Sequence, residues 1–236
     1  MSERRATIPE AVASRIDYTA LRKDMSYREL EMVCLEAVTY NLRTIIVPSG
    51  QVRRACAFVS GSRPAIGTVI SHPFGTQAPA VKAVEAATAV AAGAQELDVI
   101  PHFGTILAER WEDYAFELRT LGEAAGDATL KLVLEATRFS QDILAKACSI
   151  AAELGFSYVV NTVGFRLVST DPSAQGQASP ETLSKLAAGS NGLKLKAAGG
   201  IITLAGIRGL LSLGVNRVCV DAALGVLRTL AEEGAK

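Results

Sequence analysis

Two histidines occur in 236 residues, and both fall just past short apolar runs, in SHPFG around His72 and PHFG around His102. An imidazole titrates near neutrality, so either could act as a general acid or base, or simply cap a strand end. The HExxH or HxH spacing of a metal site is absent, and neither a metal nor another cofactor is called for. Asp98 lies in ELDVI, a run otherwise built for burial, where an ionised carboxylate needs a cation to offset desolvation. Lys196 is the natural partner, as a working acid/base pair or as an ion pair that only fixes register. In LKLKA, Lys194 and Lys196 are two apart and share one side of a strand. If both face inward, their repulsion lowers the pKa of one and makes it a nucleophile toward carbonyls; alternatively Lys194 pairs with Glu96 or Glu135.

These residues gain meaning from the elements that carry them. Short β-branched runs alternate with segments of helical period from about residue 26 onward. Strands are expected at 16–19, 44–48, 65–71, 96–101, 130–135, 157–161, 193–197 and 217–220. Helices are expected near 26–41, 50–60, 78–92, 109–125, 140–154, 180–188, 203–213 and 222–233. Ser26 and Glu29 form a capping box at the first of these. Eight β/α units of similar length favour a single-domain (β/α)8 TIM barrel over an open, flavodoxin-like or Rossmann sheet. On a barrel the C-terminal strand ends form the site. There Asp17, Glu135, Arg138, Asn161 and Asp221 join the residues above as candidate substrate contacts, with Gly164, Gly199 and Gly200 as tight turns. Arg138 suits a carboxylate by its fork geometry. The polar stretch 169–180 reads as a loop beside the mouth.

Bulk properties narrow the partners. Lys+Arg and Asp+Glu are equal at 24 each, so there is no net field to draw nucleic acid or acidic membranes, and a small carbonyl compound is the expected ligand. No stretch reaches the roughly 18 apolar residues of a membrane span, and the N-terminus lacks an apolar signal core, so a cytoplasmic location is the default. The four cysteines lack metal or CxxC spacing and read as reduced thiols in apolar runs. Barrels of this kind often dimerise through their outer helices. A homodimer is therefore an open expectation, although no helix carries a second apolar face strong enough to name the interface.

At these motifs the chain resembles the deoxyribose-phosphate aldolase family over nearly its whole length. IDYTAL (16–21), ISHPFG (70–75), KAVEAATAVAAGAQELDVI (82–100) and KAAGGI (196–201) agree with it in order and spacing. The resemblance implies a class I aldolase barrel in which a sixth-strand lysine forms a Schiff base while a fourth-strand aspartate and a seventh-strand lysine handle protons; Asp98 and Lys196 match that pair. The sixth-strand motif here is YVVNTVGF, which puts Val160 at the lysine position. The family's eighth-strand phosphate turn is replaced by CVDAALG, where Asp221 would repel a dianion and cap the following helix, and the arginine common after GGI is Ile202.

Three functions follow. The first is a divergent aldolase-type lyase acting beside the carbonyl of a small, unphosphorylated metabolite, with Lys196 or Lys194 as relocated amine. The second is an imine-free lyase, isomerase or cyclase, of a kind that fits a biosynthetic pathway, that moves protons with Asp98, His102, His72 and Lys196. The third is a non-catalytic small-molecule binder. On any enzymatic reading, Asp98→Asn and Lys196→Met should abolish activity and leave the fold intact.

Overall fold

The protein is described by a computed structural model covering residues 7–162, 178–223 and 225–234. A short helix α1 (Glu10–Ala13) precedes β1 (Ile16–Thr19). Then follow α2 (Tyr27–Thr39), β2 (Thr44–Val47), α3 (Val52–Phe58), β3 (Ala65–Ile70), α4 (Pro79–Ala91), β4 (Glu96–Val99), α5 (Phe103–Leu107) and α6 (Trp111–Ala125). The second half comprises β5 (Thr129–Val133), α7 (Gln141–Glu153), β6 (Tyr158–Val160), α8 (Pro180–Gly189), β7 (Lys194–Ala197), α9 (Leu204–Ser212), β8 (Arg217–Asp221) and α10 (Val226–Gly234). The strands pair in chain order, all parallel, and β1 closes on β8 to complete a barrel. Among the described residues no helix is long and apolar enough to cross a membrane.

Local chemistry accounts for the helix starts. Ser26 and Glu29 exchange the reciprocal bonds of a capping box, and Ser140, Ser179 and Thr203 each cap a helix through the side-chain oxygen. Pro180 follows Ser179 at the first turn, where its missing N–H costs nothing. The outward strand residues, among them Tyr18, Ile45, Leu97, Leu132, Val159 and Val218, are buried under the helices in the main core.

The inward residues divide into two groups. One is charged, drawn from β1, β4, β5, β7 and β8. The other is a separate apolar cluster of Ile46, Val69, Ile100, Val133, Val160 and Ala198, joined by the partly buried Leu21, Phe103 and Cys219. Ile100, Val133 and Ala198 stand two residues beyond Asp98, Lys131 and Lys196 on their chains, so hydrocarbon covers the charges on the side of the C-terminal strand ends.

The cysteines are free; Cys34 and Cys148 are buried, whereas Cys56 and Cys219 are only half-buried. Gly164 and residues 169–177 of the polar loop lie outside the described residues.

Candidate active site

The charged group is an ion cluster of three carboxylates and three buried cations, with the half-exposed Arg43 3.7 Å from Glu96 at its edge. Asp17 is the second residue of β1, not its end, and is fully buried. Its Oδ2 lies 3.1 Å from Lys131 Nζ and 2.8 Å from Lys196 Nζ, while Oδ1 receives Arg217 Nε at 2.8 Å. Asp98 binds Lys196 through Oδ2 and faces Lys131 at 3.1 Å through Oδ1. Glu96 pairs with Lys131 at 2.7 Å and with Arg217 at 2.9 Å, and Thr44 Oγ1 accepts from Arg217 at 2.7 Å. Such charges are tolerated in a dry interior only when mutually satisfied.

The pKa directions follow from this balance. Burial alone would depress the Lys196 ammonium, but Asp17 and Asp98 outweigh it and hold its pKa well above the ordinary lysine value. Lys131 is raised in the same way, its burial outweighed by Asp17, Asp98 and Glu96. Burial would raise Asp17 and Asp98, yet Lys131 and Lys196 pull both carboxyls below their usual range, Asp17 the further because Arg217 adds to it. The expectation of a lysine with lowered pKa is therefore corrected: the flanking carboxylates keep Lys196 protonated.

Lys194 is also corrected. It is the first residue of β7, exposed at the opposite end of the barrel, with its ammonium 5.6 Å from the Tyr158 ring centroid. Parity gave the correct side of the strand, but position along the strand places the side chain in solvent, away from Glu96 and Glu135. The second amine beside Lys196 is Lys131.

His102 caps α5. Its Nδ1 accepts from the Thr105 backbone N–H at 3.2 Å, which leaves Nε2 to carry the ring proton of the neutral imidazole. His72 follows β3 at a cis His72–Pro73 bond, and burial lowers its pKa against the opposing charge of Glu85. The two histidine loops are held from outside the barrel. Lys82, fully buried on α4, donates to Gly75 O at 2.7 Å and Ile100 O at 3.0 Å and pairs with Glu117 of α6, while Glu85 accepts from the Ser71 N–H at 2.8 Å. Gly75 has φ +67°, and a Cβ there would meet Ile100 Cγ2 at 2.7 Å.

The remaining candidates are spread out. Asn161 is buried, with Oδ1 accepting from Ala198 N at 2.7 Å and Nδ2 donating to Ala198 O at 3.1 Å, so it clips β6 to β7. Glu135 accepts from Thr162 Oγ1 at 3.2 Å. Arg138 is exposed. Gly199 and Gly200 turn with φ of +100° and +72°. Asp221 is corrected as a helix cap: it is exposed at the end of β8, five residues before α10, and its backbone oxygen accepts from Ala223 N.

A protein from Coprothermobacter proteolyticus named deoxyribose-phosphate aldolase is 31% identical over 221 residues, covering 93% of this chain and 97% of the relative. The chain belongs to the deoxyribose-phosphate aldolase family. With the family comes its class, the aldolase-type lyases. The relative of that name from Macrococcus caseolyticus is 28% identical over 92% of this chain and 96% of its own. In three dimensions the chain matches a candidate deoxyribose-phosphate aldolase from Coccidioides immitis with TM-score 0.86 at 27% identity, covering 97% of this chain and 88% of the other. The deoxyribose phosphate aldolase of Aeropyrum pernix, described as tetrameric, matches with TM-score 0.80 at 25% identity over 95% and 91%. No family model matches the chain.

Sequence reasoning overlooked Lys131, Arg217, Lys82 and Glu117. The signal that singled out Asp98, a charge at an inward position of an apolar strand, is equally present in TLKLV and RVCVD and would have found Lys131 and Arg217. Lys82 and Glu117 lie on helices, where a single buried charge resembles a surface one until the packing is known.

Proposed function

We propose that this member of the deoxyribose-phosphate aldolase family acts as a one-domain, cytoplasmic aldolase-type lyase on a small, unphosphorylated carbonyl compound, with Asp98 moving the proton and Lys196 remaining an ammonium. The observation that carries this reading is the balance of the ion cluster. Every amine in it is engaged by carboxylates, and Val160, which the alignment of motifs sets at the Schiff-base position, belongs to an apolar layer.

Within this reading Asp98 is the member of the cluster available to a substrate. It retains 5% exposure where Lys131, Lys196 and Asp17 have none, and its Oδ1 makes no hydrogen bond. Lys131 and Lys196 keep it ionised through the neutral range, as a base requires. They act as positioning residues, since neither is exposed to a ligand in this arrangement. His102, on the loop after β4, has Nε2–H available as a donor to oxygen that gains charge. The absence of a phosphate on the substrate is supported by the loops after β7 and β8, where residues 199–203 and the described part of 221–225 include no cation and one acidic side chain, Asp221.

A second reading keeps the imine and places it on Lys196. It is favoured by the contact with Asp98, which could take the ammonium proton when a carbonyl arrives. Borohydride reduction in the presence of a panel of small aldehydes and ketones, followed by intact mass and peptide mapping, separates the two. The expected result is no adduct on folded protein, with deuterium exchange from solvent into the carbon next to the carbonyl. An adduct mapped to Lys196 would replace the first reading by the second.

A further inference from the structure

We infer that the substrate carries an alkyl chain, not a hydroxylated sugar chain, beside its carbonyl, and that Val69 and Ala198, backed by Val133 and Val160, form the surface that recognises it. This rests on the reading that Asp98 marks the reacting end.

An apolar cluster drawn from β2, β3, β5 and β6 and from the segments just after β4 and β7 occupies the C-terminal side of the interior. Val69 is the register partner of Asp98 across β3 and β4, and Val160 is that of Lys196 across β6 and β7. Hydrocarbon therefore stands directly beside the carboxylate and ammonium on which the chemistry is proposed. Val69 and Ala198 keep 8% and 7% exposure, comparable to Asp98, whereas Ile46, Val133 and Val160 keep 2% or less. Part of what solvent reaches in this layer is thus alkyl surface.

Among the described residues, several polar groups that could have served a polyol are engaged elsewhere. Both ends of the Asn161 amide are bonded to Ala198, Thr162 Oγ1 donates to Glu135, and Thr19 Oγ1 donates to Asp17 O at 3.4 Å. Asp98 Oδ1 faces Lys131 at 3.1 Å and makes no hydrogen bond. Asp98 and the His102 donor beside an apolar layer fit a molecule with one polar end, its carbonyl. A hydroxyl carried into that layer would give up its water and find no partner, whereas each methylene would gain by leaving water.

The test is a series of dissociation constants, measured by NMR titration without reductant, for butanone, 2-pentanone and 2-hexanone against hydroxyacetone and dihydroxyacetone. Affinity should rise about fourfold for each added methylene while the layer still has surface to offer. It should fall about tenfold for each hydroxyl. Val69→Thr, nearly isosteric, should weaken the ketones several-fold and lessen the discrimination against hydroxyacetone; Ala198→Ser is the second variant should the first fail to fold. Equal or tighter binding of the hydroxylated compounds, or no saturable binding of any ketone by the wild type, would overturn the inference. Because no hydride is present, the series reads recognition alone, and borohydride trapping decides separately whether an imine forms.

Discussion

Removing Lys196 tests the ion cluster most directly, because the cluster balances three carboxylates against three cations within a dry interior. In Lys196→Met the hydrocarbon stem is retained but Asp17 and Asp98 lose a shared ammonium, and one negative charge is left in excess. Breaking a buried pair from one side typically costs about 3–5 kcal/mol, a large part of the roughly 5–15 kcal/mol that holds a domain together. The protein should fold with a sharply lowered urea midpoint, contrary to the sequence-based expectation that the change leaves the fold untouched. Adding Asp98→Asn restores balance, since Asp17 and Glu96 then face Lys131 and Arg217. The double variant should be more stable than the sum of the single losses implies, by a coupling of about 1–3 kcal/mol. The assay is equilibrium urea unfolding of the wild type, both single variants and the double variant, with circular dichroism and fluorescence followed together. Strict additivity, or a Lys196→Met midpoint equal to that of the wild type, would refute the cluster as the feature that holds the barrel interior together.

Four further outcomes follow from the geometry. Lys194→Met should leave both activity and stability within the scatter of surface substitutions, as its exposed ammonium touches only the Tyr158 ring; a loss of turnover would return it to the site. Asn161→Ala should cost about 1–3 kcal/mol in urea unfolding by stranding the Ala198 backbone groups, and an unchanged midpoint would show that the clip carries no weight. Gly75→Ala combines a positive φ with a collision against Ile100, so thermal unfolding should shift down and cleavage in limited proteolysis should increase in the His72 loop. The depressed Asp17 and Asp98 carboxyls contribute stability that is complete above the unfolded aspartate pKa of about 3.9 and is lost as pH falls toward their folded values. Urea midpoints should therefore drop steeply below about pH 4, and less so in Asp98→Asn.

The fold was largely legible because alternation and capping are local signals. All eight strands lie where the β-branched runs place them, to within a residue or two at their ends, and Ser26 caps as its spacing with Glu29 requires. The two helices passed over, α1 and α5, have only four and five residues, too few to establish a period. The site was legible in part. Asp98 and Lys196 meet as expected because both face inward from strands whose order around the barrel follows the chain. Lys194 was misplaced because parity gives the side of a strand but not the depth, and depth depends on the stagger of eight strands together. Asn161 looked like a ligand contact because an amide at a strand end suits either role; only the position of Ala198 decides that it is a clip.

The ion cluster also bears on the order in which the barrel can assemble. Arg217 and Asp17 are separated by 200 residues, so that contact forms only when the first and last strands meet, whereas Lys131, 114 residues from Asp17, reaches it from β5. A chain folded as far as β6 would bring together Asp17, Glu96 and Asp98 with Lys131 as the one buried cation to answer them and the half-exposed Arg43 at the edge. Its interior would carry excess negative charge away from water, which disfavours a compact half-barrel and keeps that region hydrated until β7 and β8 deliver Lys196 and Arg217. The same residues that make the finished interior neutral thus act during folding as a check against early closure, and commit the barrel to collapsing as a whole.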